Sequence, residues 1–284
     1  MEKEKNKKTP KKKYGKSRRI RNFAENVIMI CLVGIMIACG FNIYKIMHNY
    51  NTNQKKYDKV TELAGTMDFT GNVDFDELRK INPDIIGWIY YEDTKINYPI
   101  VQGKDNDKYL RTMFDGNYSN FGTLFADYKT KDPFNQFNTI VYGHHMRNGS
   151  MFGQLKKLKD ESYYEKHKQF ELITPEGKYH LQIVAFLNEP SDSDVYVNNV
   201  DGDSEKENYI EKIKSLSLYT TGVDFTADDR LVVLSTCAYE YDDARYIAVG
   251  KMVKWSDEEL AAAKRLDAKR GGATEKVKVE NYDD

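Results

Sequence analysis

Arg230-Leu231-Val232-Val233-Leu234-Ser235-Thr236-Cys237 and, after the polar connection Ala238 to Ala244, Arg245-Tyr246-Ile247-Ala248-Val249-Gly250-Lys251-Met252-Val253 form the stretch that decides the fold. Both runs are rich in β-branched and aliphatic residues and are bounded by charge, which predicts two strands. If they run antiparallel as neighbours, Cys237 at the end of one and Arg245 at the start of the next lie side by side. A thiol beside a guanidinium is a candidate nucleophile next to a group that can stabilise a thiolate and hold an oxyanion. The competing reading of Arg245 is a salt bridge to Glu240, Asp242 or Asp243.

Upstream, short β-prone runs recur between turn residues. Ile85 to Tyr91 and Ile96 to Gln102 flank Glu92-Asp93-Thr94, Asn138 to His145 follows, and Phe170 to Thr174 and Tyr179 to Leu187 flank the hairpin signal Pro175-Glu176-Gly177. So many short strands in one domain of roughly 180 residues predict a mainly β architecture, a barrel or a sandwich, and exclude a parallel βαβ sheet. Helices are expected at its periphery. One opens on the capping pattern Asp74/Glu77 and stops at Asn82-Pro83. A second is expected over 151–167, with Phe152, Leu155 and Leu158 as its apolar stripe, and a third over 204–216, opened by Ser204/Glu207 and burying Ile210 and Ile213. A charged helix is expected over 256–268, ended by Gly271-Gly272 and followed by a disordered tail.

The N-terminal region has a different character. Its first 26 residues hold eleven Lys/Arg against three acids, and the uncharged stretch from Asn26 to Tyr44 approaches the roughly 20 residues that a bilayer-spanning helix needs. The basic flank is expected to stay in the cytoplasm, which puts everything after the span outside the cell. A cleaved signal peptide has a similar layout, but no small-x-small site follows the apolar run. Cys39 after Ile37-Ala38 faintly resembles a lipoprotein site. An uncleaved anchor is the preferred reading, and all three readings export the remainder. The organisation expected is a basic arm (1–26), a transmembrane signal anchor (27–47), a juxtamembrane stalk (48–73), a catalytic domain (74–254) and a charged helix with tail (255–284). The whole chain is formally −1, so without its basic arm the exported part is net acidic. Nucleic acid is disfavoured as its partner, whereas the arm suits an anionic lipid bilayer.

Of three cysteines, Cys31 and Cys39 fall in the apolar segment, so Cys237 is an unpaired thiol in an exported domain. Such a thiol is a candidate reactive group, with a small buried hydrophobe as the bland alternative. A cysteine nucleophile needs a proton partner, usually histidine. His48 stands at the membrane edge, His167 in a charged helix and His180 in a hairpin strand, where each reads as an ordinary surface residue. His144 and His145 end the run Thr139-Ile140-Val141-Tyr142-Gly143, and adjacent side chains on an extended backbone point to opposite faces, so one of the pair at most meets the cleft of Cys237. The same alternation argues against a two-histidine metal site.

Leu234-Ser235-Thr236-Cys237, an Arg on the following strand, and Tyr142-Gly143-His144 at an earlier strand end resemble the active-site motifs of the sortases, membrane-anchored cysteine transpeptidases of Gram-positive bacteria. Gly87-Trp88-Ile89, Tyr98-Pro99-Ile100-Val101-Gln102, Gly143-His144-His145-Met146 and a helix inserted before the cysteine strand are similar to class B of that family. The resemblance implies a closed β-barrel of about eight strands with peripheral helices and no cofactor or metal. It implies Cys237 as nucleophile, His144, which directly follows the glycine, as general acid and base, and Arg245 as oxyanion or substrate-positioning group. Ser235 and Tyr142 become candidate contacts to the peptide. The implied partners are secreted proteins bearing a C-terminal sorting motif and a peptidoglycan cross-bridge or lipid-linked precursor amine. One departure is visible: Val233 stands where the family usually has Thr, so a hydroxyl is lost there. Three other classes fit less well. A papain-like protease has the reverse order of Cys and His, an L,D-transpeptidase has His and Gly immediately before its cysteine, and a non-catalytic wall-binding module would keep Cys237 as filler.

Overall fold

The hairpin signal at Pro175-Glu176-Gly177 produces the pairing expected of it: β5 (Gln169–Thr174) runs antiparallel to β6 (Gly177–Pro190), with Thr174 opposite Gly177. In the computed structural model, which describes residues 15–63, 73–238 and 242–269, six further strands join them. These are β1 (Ile85–Tyr90), β2 (Asn97–Val101), β3 (Leu124–Ala126), β4 (Asn138–Tyr142), β7 (Leu231–Cys237) and β8 (Ala244–Lys254). The sheet closes as a barrel in the order β1-β2-β3-β4-β7-β8-β6-β5, which decides between barrel and sandwich. Closure leaves no free sheet edge. All pairs are antiparallel except β2 with β3 and β4 with β7.

Two local expectations are corrected. The helix expected over 151–167 is a tight loop, a 3-10 turn at Leu155–Lys159 and one short turn, α3 (Glu161–Tyr164). Met151 adopts a φ of 50°, outside the helical region, and Asp160 starts a fresh helix by accepting from the Ser162 N–H. Phe152, Leu155 and Leu158 are buried as expected, since a three-residue spacing suits a 3-10 turn as well as an α-helix. Strand β4 ends at Tyr142, three residues short of the expected His145.

The N-cap Asp74 accepts from the Glu77 N–H and α2 (Phe75–Ile81) stops at Asn82, as its signals required. Helix α4 (Asp203–Leu216) starts one residue before Ser204, and its N-cap is Gly202, with φ 92° and no side-chain cap, in place of the expected Ser204. Its Tyr209, Ile210 and Ile213 cover Ile140, Leu231, Val233, Ile247 and Val249, a second apolar layer on the barrel's outside.

At the other end, α1 (Gly15–Leu63) is one continuous helix. The part of it up to Gln54 belongs to one unit, in which the side chains from Val27 to Met47 include many exposed apolar residues. Among the described residues this is the one helix long and apolar enough to cross a membrane. The second unit begins at Lys55, earlier than the domain edge expected at Asp74. Tyr57 and Val60 are fully buried, and the Tyr57 ring packs edge-on to Tyr98 at 4.9 Å while its hydroxyl donates to the Gly122 carbonyl at 2.5 Å. Two apolar residues three apart make a docking face too narrow to stand out in a polar stretch. Residues 1–14, 64–72, 239–241 and 270–284 lie outside the described residues, so most of the basic arm, part of the stalk and the tail do too.

Helix α5 (Asp257–Lys269) opens on a reciprocal capping box, Ser256 and Glu259. His180, expected as an ordinary surface residue, ties this helix to the barrel. Its Nδ1 lies 2.9 Å from Glu171, its Nε2 lies 2.8 Å from Glu259, and its ring stacks on Trp255. Burial opposes its charged form, but the hydrogen bonds to Glu259 and Glu171 outweigh it and raise the pKa above the usual 6.5. A group with a raised folded pKa contributes its stability below the unfolded pKa and loses it as pH climbs through the folded one. The difference in melting temperature between the native chain and His180→Gln should therefore be largest near about pH 5.5 and vanish by about pH 9. A difference that grows with pH would contradict this attachment. Tyr57→Ala should cost about 3 to 5 kcal/mol in denaturant unfolding, the range for losing a buried aromatic ring.

Candidate active site

Cys237 ends β7 and is set between two neighbours by the strand registers. On one side β8 runs antiparallel with Arg245 directly opposite Cys237. On the other, β4 runs parallel with Tyr142 opposite Ser235, and the Gly143 N–H donates to the Ser235 carbonyl at 3.0 Å. His144 follows two residues after the end of β4. Directly opposite residues of paired strands share a face, so Tyr142, Ser235 with Cys237, and Ile247 with Arg245 lie on one side of the wall. That side is the outer one, because Ile140, Val233 and Ile247 on it are covered by α4. The candidate site is therefore the exposed upper rim of the apolar layer beneath α4.

The structure places Tyr142, Ser235, Cys237 and Arg245 on this rim, with His144 just past the end of β4. Cys237 is a half-buried free thiol. His144 lies 2.6 Å through Nε2 from the Leu110 carbonyl. A carbonyl only accepts, so Nε2 carries the hydrogen and Nδ1 is left to take or give a proton. The Arg245 guanidinium donates to the carbonyls of Asp243 at 3.3 Å and Ala244 at 3.0 Å, and among the described residues no carboxylate pairs with it. Two backbone carbonyls thus hold the guanidinium in place, and Glu240, one of the carboxylates expected to pair with it, lies outside the described residues. Ser235 shares a 2.8 Å hydrogen bond with the Tyr196 hydroxyl, and the Tyr196 ring stacks on Tyr142. Tyr142 in turn donates to Asp127 at 3.2 Å, and burial followed by this carboxylate pushes the phenol pKa upward, so it stays a neutral donor.

Several residues of the rim carried no sequence signal. Tyr196 lies in the connection from β6 to α4, Asp127 and its second donor Asn106 lie on either side of β3, and the Leu110 contact is made by backbone. Nothing in a local pattern marks a residue whose partner is some 15 to 40 positions away.

Gly143 explains how the strand end can carry His144. A Cβ there would lie 2.6 Å from the Phe152 ring and closer still to Leu124. The loop that follows folds back tightly, with the Phe152 N–H donating to the His144 carbonyl at 3.0 Å and His145 bridging to Met151. Phe152 is thereby pressed against the backbone that presents the imidazole.

A closed barrel with a thiol at one strand end, an arginine opposite it and a histidine just past the end of the other neighbouring strand has the layout of a cysteine transpeptidase. A family model of the sortase domain matches residues 89–253. Sortase B of Listeria monocytogenes is 32% identical over 83% of this chain and 99% of its own length, and sortase B of Staphylococcus aureus is 31% identical over 81% and 97%. Among solved structures, a Staphylococcus aureus sortase B–substrate complex superposes with a TM-score of 0.68 at 30% identity, covering 74% of this chain and all of the other. A sortase B from Bacillus anthracis in complex with AAEK1 reaches 0.66 at 34% identity, over 74% of this chain and all of that one. The chain belongs to the sortase family, and it is a class B cysteine transpeptidase acting on surface proteins.

Gly143→Ala should destabilise the chain by about 1 to 3 kcal/mol, the usual cost of overpacking. It should also lower activity in the fraction that stays folded, measured by denaturant titration alongside turnover. A native-like midpoint and rate would show that Phe152 and Leu124 yield without moving His144.

Proposed function

We propose that Cys237, His144 and Arg245 carry out acyl transfer through a thioester. The observation that supports this reading most is the pairing of Cys237 with Arg245 across β7 and β8, with His144 two residues past the end of the other neighbouring strand, β4. The Cys237 thiolate attacks the backbone carbonyl of a residue in a C-terminal sorting motif, forming the C–S bond as the carbonyl electrons move onto oxygen. The Arg245 guanidinium, held by two backbone carbonyls, stabilises that oxyanion where it develops. Protonated His144 gives its proton to the departing amide nitrogen as the C–N bond breaks, which leaves the thioester and a neutral imidazole. An incoming amine, a cell-wall peptide cross-bridge or a lipid-linked precursor, attacks the thioester and passes its proton to His144. The sulfur leaves as thiolate, and the starting protonation states are restored.

Tyr142 and Tyr196, half-buried and stacked on each other, form a candidate wall for the peptide, with the buried Ser235 holding the Tyr196 hydroxyl from behind. The solved structure of a relative with its substrate supports a sorting-motif peptide as the ligand. The apolar part of α1 is proposed to anchor the chain in the membrane with the basic arm in the cytoplasm and the barrel outside. Protein substrates and wall precursors emerge at that surface, and tethering raises their effective concentration.

The full chain in detergent micelles, assayed on a panel of fluorogenic sorting peptides with and without an amine acceptor, tests the assignment. Cys237→Ala should abolish cleavage. His144→Ala should lower kcat by about a hundredfold or more, and Arg245→Lys by about a hundredfold, because a point charge does not replace the planar fork. Cleavage that survives Cys237→Ala removes the thioester mechanism, and loss with Arg245→Ala but not Arg245→Lys reduces that residue to a simple charge.

A further inference from the structure

The second histidine of the doublet stands at a defined place in the sheet. A parallel ladder advances two residues at a time: the Gly143 N–H donates to the Ser235 carbonyl, so the next acceptor on β7 is the Cys237 carbonyl and the next donor belongs to residue 145. There the structure places the imidazole of His145, with Nδ1 2.6 Å from the Cys237 oxygen. The carbonyl can only accept, so Nδ1 carries the hydrogen. The ring lies 6.1 Å from that of Tyr246, which is opposite Thr236 in the β7–β8 register and so belongs to the face turned away from Ser235 and Arg245. His145 thus holds the backbone of Cys237 from one side of the wall while the thiol is presented on the other.

We infer that His145 is a positioning residue for the nucleophile, acting through the peptide of Cys237 and not on the proton inventory of the reaction. The inference rests on Cys237 being the nucleophile, as proposed above. The need for such a contact follows from where the sheet ends. On the β8 side the ladder continues past Cys237, since the Ala238 N–H donates to the Ala244 carbonyl at 2.8 Å. On the β4 side the strand has stopped at Tyr142, and the chain turns away into the loop bridged at His145 and Met151. The imidazole extends the ladder by one step and braces the Cys237 peptide from both sides. A sulfur that must meet a carbonyl carbon tolerates a displacement of only about 0.5 Å. Both the neutral Nδ1–H tautomer and the imidazolium donate from Nδ1, so this brace works in either charge state.

The chemistry names the variant that should rescue. Asn carries its amide nitrogen on Cγ, as His carries Nδ1, whereas Gln carries it one bond further out. In the full chain in detergent micelles, His145→Ala and His145→Gln should lose about tenfold or more in kcat with KM changed less than about twofold, and His145→Asn should stay within about threefold of the native kcat. The pH–rate profile of His145→Ala should be lowered at every pH with both limbs in place, since His145 exchanges no proton. Three results would overturn the proposal: native kcat in His145→Ala, equal losses in His145→Asn and His145→Gln, or a displaced limb of the profile. If His145→Ala fails to fold, the Asn and Gln pair decides alone. Activity retained by Cys237→Ala would instead remove the nucleophile assignment, and this inference with it.

Discussion

The register of three strands, β4, β7 and β8, is the constraint on which the rest depends. Val141 against Leu234 and Leu234 against Ala248 fix which side chains enter the barrel, and the residues between them, Tyr142, Ser235 and Ile247, then face outward. A slip of one residue in any of the three would turn Cys237, His144 or Arg245 to the other side of the wall. Register is costly to change because both faces are buried: the inner one in the barrel, the outer one under Tyr209, Ile210 and Ile213 of α4. The apolar layer beneath α4 is therefore more than insulation. It makes the outer face as decisive for register as the inner one, and the polar rim above it inherits that precision.

Legibility from sequence followed the range of the interactions involved. The hairpin at Pro175-Glu176, the cap at Asp74 and the pairing of Cys237 with Arg245 each rest on residues within a dozen positions, and each was readable. The parallel pairing of β4 with β7 joins segments some 90 residues apart, and no local pattern carries it. Strand β3 is three residues long, too short for alternation to register. The stretch around Phe152 misled for a different reason. Its three-residue apolar spacing was read as an α-helix, while a 3-10 turn buries the same residues and leaves room for the loop to close on Gly143.

The candidate site divides along the same line. Cys237, His144 and Arg245 were legible because their chemistry is unusual for their context: an unpaired exported thiol, a histidine at a strand end, an arginine opening the next strand. Ser235 and Tyr142 gained physical content only when Tyr196, from a connection without any pattern, linked them by one hydrogen bond and one ring stack. Asp127 lies beyond them, buried, accepting from Tyr142 and Asn106. Polar networks of this kind are assembled by tertiary structure, and each member on its own looks like an ordinary polar residue.

The doublet His144-His145 shows how a single rule of strand geometry separates two chemically identical groups. Alternation sends adjacent side chains to opposite faces. His144 is tied to the Leu110 carbonyl, whereas His145 reaches the carbonyl of Cys237. Each ring nitrogen bound to a carbonyl has its hydrogen fixed by that partner. On the proposed mechanism the other nitrogen of His144 moves protons, while for His145 the bound nitrogen is the proposed brace. Proton transfer requires a group whose charge changes, and bracing requires one whose donor persists through that change. Two adjacent imidazoles with different carbonyl partners are thereby suited to different tasks.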